Sequence, residues 1–106
     1  MTHRIVWRRQ ARSELKALYE WIAAEAGEAV ALAYVDSIEA QVASLALFPF
    51  RGSRRDELMP GLRTIGYRRK TVIAYRVEGS QVVILDIIHG RKDLGAAFGA
   101  RTTPPS

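Results

Sequence analysis

Two side chains in the 63–93 stretch of this sequence, His89 and Tyr67, are of the kind that can pass a proton, and they lie among arginines. The stretch from residue 63 to residue 93 holds Arg63, Arg68, Arg69, Lys70, Arg76, Arg91 and Lys92, nearly half of the 16 basic residues. Cleavage of RNA without a metal needs a base for the 2′-hydroxyl, an acid for the leaving oxygen and positive charge for the phosphorane. The arginines suit the third role, and they suit equally well the carboxylates of an acidic protein partner. At the end of a buried strand, a histidine more readily hydrogen-bonds to nearby backbone or to an acid such as Asp93 than performs chemistry. The only aromatic residue after it is Phe98, which carries no transferable proton. Glu57 is a remote third candidate. No catalytic residue is therefore nominated, with His89 and Tyr67 kept as the alternative. Arg51, Arg54, Arg63, Tyr67, Arg69, Arg76, Arg91 and Lys92 are nominated as contacts to a partner or target macromolecule, those on strands ahead of those in loops because a rigid scaffold fixes their direction.

Composition narrows the chemistry further. A chain of 106 residues suits one hydrophobic core. There is no cysteine, and His3 and His89 are the only imidazoles, so disulfides, thiolate metal sites and histidine clusters are excluded. No cofactor or metal is expected. The sequence has no apolar run long enough to span a bilayer and no signal-peptide core, which gives the expectation of a soluble, cytoplasmic protein without a membrane partner. A net charge of +5 and a pI near 10.1 favour an acidic partner, protein or nucleic acid, without choosing between them. The charge is clustered: Arg51, Arg54, Arg55, Arg63, Arg68, Arg69, Lys70 and Arg76 face only Asp56 and Glu57 in the same central span.

The elements that must position these residues are legible as periodicities. Residues 3–7 alternate as a short strand. Ala11, Leu15, Leu18, Tyr19, Ile22 and Ala26 recur at helical spacing up to Gly27, where a positive φ is easiest, so a helix ends there. A second helix is expected over 28–48, with Ala31, Tyr34, Val35, Ile38, Val42 and Leu45 on its stripe, two packed sides and Pro49 as its stop. Residues 50–61 read as a surface loop. Strands follow over 62–67, 70–77 and 82–89, the last two joined by a hairpin turn at Glu78-Gly79-Ser80. Strict alternation in the last strand puts Val83, Leu85, Ile87 and His89 on one face and Val82, Ile84, Asp86 and Ile88 on the other. Both faces need cover, the second from a partner chain or from the protein's own side chains and tail. Trp7 and Trp21 are expected as core anchors, and Tyr19 and Tyr34 as packing residues. The fold class is α+β: an N-terminal strand, an antiparallel helical hairpin and a three-stranded antiparallel meander in one sheet. Residues 1–94 form one domain, with a partly disordered tail over 95–106.

Several residues match a known pattern in order and spacing. Arg9-x-Ala11-x-x-Glu14-Leu15 followed by Ile22, then Leu45-x-x-Phe48-Pro49 with Gly52 and Arg54, then Arg63, Tyr67, Tyr75-Arg76 and the Ile87-Ile-His-Gly-Arg-Lys-Asp-Leu94 segment together resemble the RelE/ParE superfamily of bacterial toxins, and its ParE branch in particular. The resemblance covers roughly residues 4 to 94. It implies a toxin of a type II toxin–antitoxin pair, held in a hetero-oligomer by a ParD-like or other antitoxin whose C-terminal region drapes over it. The superfamily divides by target: RelE-like members cleave messenger RNA on the ribosome, and characterised ParE-like members poison DNA gyrase. RelE-type nucleases usually carry a tyrosine or histidine at or after the last strand, and here only His89 fills that place. The resemblance thus implies gyrase inhibition first and a metal-independent endoribonuclease second, with a non-toxic, basic nucleic-acid-binding protein as the third reading.

Overall fold

The computed structural model describes residues 2–68 and 70–90. Its elements run β1 (Arg4–Trp7), α1 (Arg9–Ala26), α2 (Glu28–Ser44), β2 (Ser53–Arg54), β3 (Leu62–Tyr67), β4 (Thr71–Glu78) and β5 (Gln81–His89). The strands form one sheet in the order β1-β5-β4-β3-β2. Strand β1 pairs parallel to β5, and the other pairs are antiparallel. The α+β architecture of a helical hairpin against a meander is as the sequence implies.

A single residue joins the helices. Gly27 has φ 98°, its N–H donates to the Ala23 carbonyl at 3.0 Å, and its own carbonyl accepts from the Ala31 N–H at 3.1 Å. It closes α1 and opens α2 at once, which only a residue without Cβ does without strain. The two apolar stripes then meet β4 and β5 in one cluster: Ala11, Leu18 and Ile22 from α1, Ala31, Ile38 and Val42 from α2, Leu45 just beyond it, and Ile73, Tyr75, Val82, Ile84 and Ile87 from the sheet. Burying each large aliphatic side chain contributes roughly 1.5–3 kcal/mol, so this layer dominates the stability.

Five local expectations are corrected. Helix α2 ends at Ser44 rather than at residue 48, because Leu45 N–H already bonds tightly to the Val42 carbonyl and Pro49 disfavours helical geometry at the residue before it. It buries one side only, since Val30 and Leu32 are half exposed. Ala26 is exposed at the fraying end of α1. Trp21 is 53% exposed and is no core anchor, whereas Trp7 does pack on the core. The fifth concerns β5. Ala74 pairs with Asp86 and Tyr75 with Ile84, leaving Leu85 as an extra residue in a β-bulge. The bulge shifts the alternation, so Val82, Ile84 and Ile87 share the helix-facing cluster while Leu85 and Ile88 join the opposite one. That opposite cluster, Leu62, Ala74 and Ile88 with Val72 and Leu85, is covered in part by Leu58 and Met59 of the 55–61 turn. The same loop supplies the two-residue strand β2, which its sequence does not announce.

Candidate partner-binding surface

The register of β3 on β4 decides which arginines act together. Arg63 lies opposite Tyr75 and Leu62 lies opposite Arg76, so Arg63 and Arg76 occupy alternate positions and face opposite sides of the sheet. Arg54 lies opposite Arg63 across β2 and β3. Two guanidinium groups side by side repel, and Asp56 offsets this: its carboxylate accepts from Arg54 Nε at 2.9 Å and from the Gly61 N–H at 2.9 Å. The Gly61 bond first, and then Arg54, hold the Asp56 carboxyl below its ordinary value of 3.8. Arg63 Nη1 donates to the Phe50 carbonyl at 3.0 Å, and its guanidinium stands 5.1 Å from the centroid of the Phe50 ring. Beneath them, the buried Tyr75 hydroxyl donates to the Arg51 carbonyl.

An apolar surface borders this arginine group. Pro49 is buried, while its neighbours Leu47, Phe48 and Phe50 are each about 60% exposed. A shallow cleft of about 160 Å³ runs between Phe50, Arg54, Asp56, Gly61, Arg63 and Val77. Of the nominated residues, Arg51, Arg54 and Arg63 thus come together. Arg76 stands apart, packed over Gly61 with its Nε donating to Glu78 at 2.7 Å. Arg69, Arg91 and Lys92 lie outside the described residues, as do Asp93 and the tail expected over 95–106. Glu57 is exposed and accepts from Arg55 Nε at 2.7 Å.

Tyr67 and His89 meet at the other end of the sheet. Tyr67 pairs with Thr71 and Thr71 with His89, so the three form a row across β3, β4 and β5. Helix α2 lays Tyr34 over the row. Its hydroxyl is 2.8 Å from Thr71 Oγ1, which is 2.7 Å from His89 Nδ1. The Tyr34 ring meets Tyr67 edge-on at 5.3 Å, and the α1 residue Trp21 tilts onto His89 at 5.4 Å. Burial, and after it Lys70, push the His89 pKa below 6.5, which favours the neutral ring. A hydrogen bond with Ser37, and to a lesser degree Arg68, hold the Tyr67 phenol below its ordinary value of 10.0. Sequence reading missed Trp21, Tyr34 and Thr71 as members of this group because their contacts join distant segments. Among the described residues no cluster of metal-ligating side chains occurs, and no helix is long and apolar enough to cross a membrane.

A two-helix hairpin on a five-stranded mixed sheet, with arginines paired across β2 and β3 beside exposed aromatics, is the architecture of the class of small toxin domains that the sequence resembles. The model for the ParE toxin of type II toxin–antitoxin system, parDE, matches residues 5–94. Toxin ParE3 of Caulobacter vibrioides is 35% identical over 99 residues, covering 93% of this chain and 98% of that protein. A solved chain of the chromosomal ParDE toxin–antitoxin system from P. aeruginosa superposes with a TM-score of 0.74 at 30% identity, over 83% of this chain and 96% of that one. The fold also matches a chain of the RelBE2 toxin–antitoxin complex from Mycobacterium tuberculosis, with a TM-score of 0.56 at 22% identity, over 85% of this chain and 100% of that one. The chain belongs to the ParE toxin family of type II toxin–antitoxin systems.

Proposed function

We propose that this protein is the toxin of a cytoplasmic toxin–antitoxin pair, that it arrests growth by binding and poisoning DNA gyrase, and that a ParD-like or other cognate antitoxin neutralises it in a hetero-oligomer. One observation favours binding over bond-breaking: Arg63, paired with Arg54 of β2, and Tyr67, in one row with His89 of β5, stand toward opposite ends of β3. Arg63 and Tyr67 are four residues apart on one strand, a distance of roughly 13 Å. A phosphate held between Arg54 and Arg63 is therefore out of reach of Tyr67. Arginines beside exposed Leu47, Phe48 and Phe50 suit an acidic segment with an apolar face instead. The deciding experiment is purified toxin added to gyrase supercoiling reactions. Inhibition or trapped, cleaved DNA is expected, and normal gyrase activity at saturating toxin rejects the target.

A second reading has its own support. His89, Arg68 and Lys70 line one cleft, which places an imidazole near two cations and so brings together a proton carrier and the positive charge that metal-independent RNA cleavage needs. New 5′ ends in mRNA after induction, together with restored growth in His89→Ala, would favour this endoribonuclease reading; unchanged mRNA would remove it.

A further inference from the structure

The far end of the sheet is built as a socket. Helices α1 and α2 leave a cleft of about 440 Å³ there, lined by Trp21, Ile22, Tyr34, Arg68, Lys70 and His89. That volume suits a large side chain or a small organic group. Ile22 is buried and Tyr34 and His89 are half-buried, whereas Trp21, Arg68 and Lys70 stand exposed at the rim. The Tyr34 hydroxyl and His89 Nδ1 are already engaged, since both bond to Thr71. What remains toward the opening is ring face, the indole of Trp21, and two cations.

The rim is held in place. Arg68 has φ 56°, a left-handed backbone that a non-glycine residue adopts at a cost. Its guanidinium lies 5.5 Å from the Tyr34 ring centre and 5.4 Å from that of Tyr67, and its Nε donates to the Tyr67 hydroxyl at 3.2 Å. The described residues that line the cleft include two cations and no carboxylate. An RNA base read by sequence needs several edge hydrogen bonds from a fixed wall, and with the Tyr34 hydroxyl and His89 Nδ1 committed to Thr71 the donors left belong to the second His89 nitrogen and to the exposed rim. An apolar side chain flanked by acids needs none.

We infer that this cleft is an anchor for the antitoxin, separate from the Arg54–Arg63 surface, taking one aromatic or large aliphatic side chain from an acidic segment whose carboxylates pair with Arg68 and Lys70. The inference rests on the reading of this chain as the toxin of a pair.

Trp21 supplies the readout, because the protein has only two tryptophans and Trp7 packs on the core. Full-length toxin is titrated with its cognate antitoxin while tryptophan emission is followed, and the titration is repeated with Trp21→Phe, Trp21→Ala and Lys70→Glu. Binding should shift the emission of the unsubstituted chain and not that of Trp21→Phe. Trp21→Ala and Lys70→Glu should each weaken binding by about tenfold or more, the effect expected of a central anchor. Because both residues are exposed, circular dichroism should show the variants folded. Binding within twofold of the unsubstituted chain, by folded variants, overturns the inference and leaves the toxin reading intact. Failure of the unsubstituted chain to bind antitoxin removes both. A Trp21 signal that is already shielded from acrylamide in the free toxin, or that grows with toxin concentration alone, assigns the cleft to the protein's own tail or to a second copy and also overturns it.

Discussion

The phenol of Tyr75 donates its hydrogen to the main-chain carbonyl of Arg51, so a wholly buried residue of β4 fixes the loop that displays Phe50 and the arginines. The bond spans 24 residues, and it reaches the loop beside Gly52, whose positive φ of 90° turns the chain into β2. An exposed surface is thereby tied to the core.

Tyr75→Phe keeps the ring and removes the tie. The loss of one hydrogen bond whose acceptor water can reach costs about 1 kcal/mol, which lowers Tm by roughly 5 °C in a domain of this size. Thermal unfolding measures the first effect, and faster amide exchange over residues 50–54 than over the helices measures the loosening of the loop. An unchanged exchange pattern would show that the bond does not hold the loop.

Gly52→Ala tests the same junction from the other side. A Cβ there would stand 2.6 Å from the Thr64 carbonyl oxygen and 3.1 Å from the Tyr75 hydroxyl. With the positive φ added, the destabilisation should exceed about 1 kcal/mol, read from urea midpoints at constant slope. Gly27→Ala meets no atom within 4 Å and carries only the conformational cost, so it should be the milder of the two.

Arg63→Glu separates stability from function. Its guanidinium is partly exposed on the Phe50 ring, and contacts of this kind contribute at most about 1 kcal/mol. The variant should stay folded while its affinity for antitoxin falls by an order of magnitude or more, and raising salt should narrow the gap between the two proteins. Calorimetric titration at two salt concentrations checks both parts; equal affinities would take Arg63 out of the interface.

His89 gives the protein a dependence on pH. Burial first, and then Lys70, lower its folded pKa below 6.5. Well above pH 6.5 the ring is neutral in folded and unfolded chains, and no stability is lost. As pH falls through 6.5 the unfolded chain takes up a proton that the folded chain still refuses, so stability declines until the lower folded pKa is passed. His89→Gln should flatten this decline between pH 7 and pH 5 relative to the unsubstituted chain, measured by urea unfolding. A parallel decline in both proteins would place its cause elsewhere.

The sequence discloses long-period features and hides registers. The stripes Ala11–Leu18–Ile22 and Ala31–Ile38–Val42 stand at helical spacing and are buried as read, and Gly27 marks the joint because its conformational freedom is written in its identity. Strand β2 is hidden because Ser53 and Arg54 have no β preference and pair only where β3 passes. The Leu85 bulge is hidden because an unbroken apolar run gives no sign of where its faces exchange. For the surface, Arg63 stands out in the sequence, but the separation of Arg63 from Arg76 depends on the β3–β4 register. Trp21 resembles a core residue by type, and only the end of α1 overhanging His89 makes it a rim residue.

The surplus residue at Leu85 divides β5 into a stretch that tolerates a change of length and one that does not. Removing Leu85 itself would leave a regular ladder with Tyr75–Ile84, Ala74–Asp86 and Thr71–His89 still paired, whereas removing a paired residue after it, such as Ile87, would bring His89 opposite Val72 and turn it away from Thr71 and Trp21. Past Leu85, substitution is therefore a graded perturbation and deletion an all-or-none one. A family of functional variants of this toxin should differ in spelling through residues 86–89 and scarcely at all in the number of letters there.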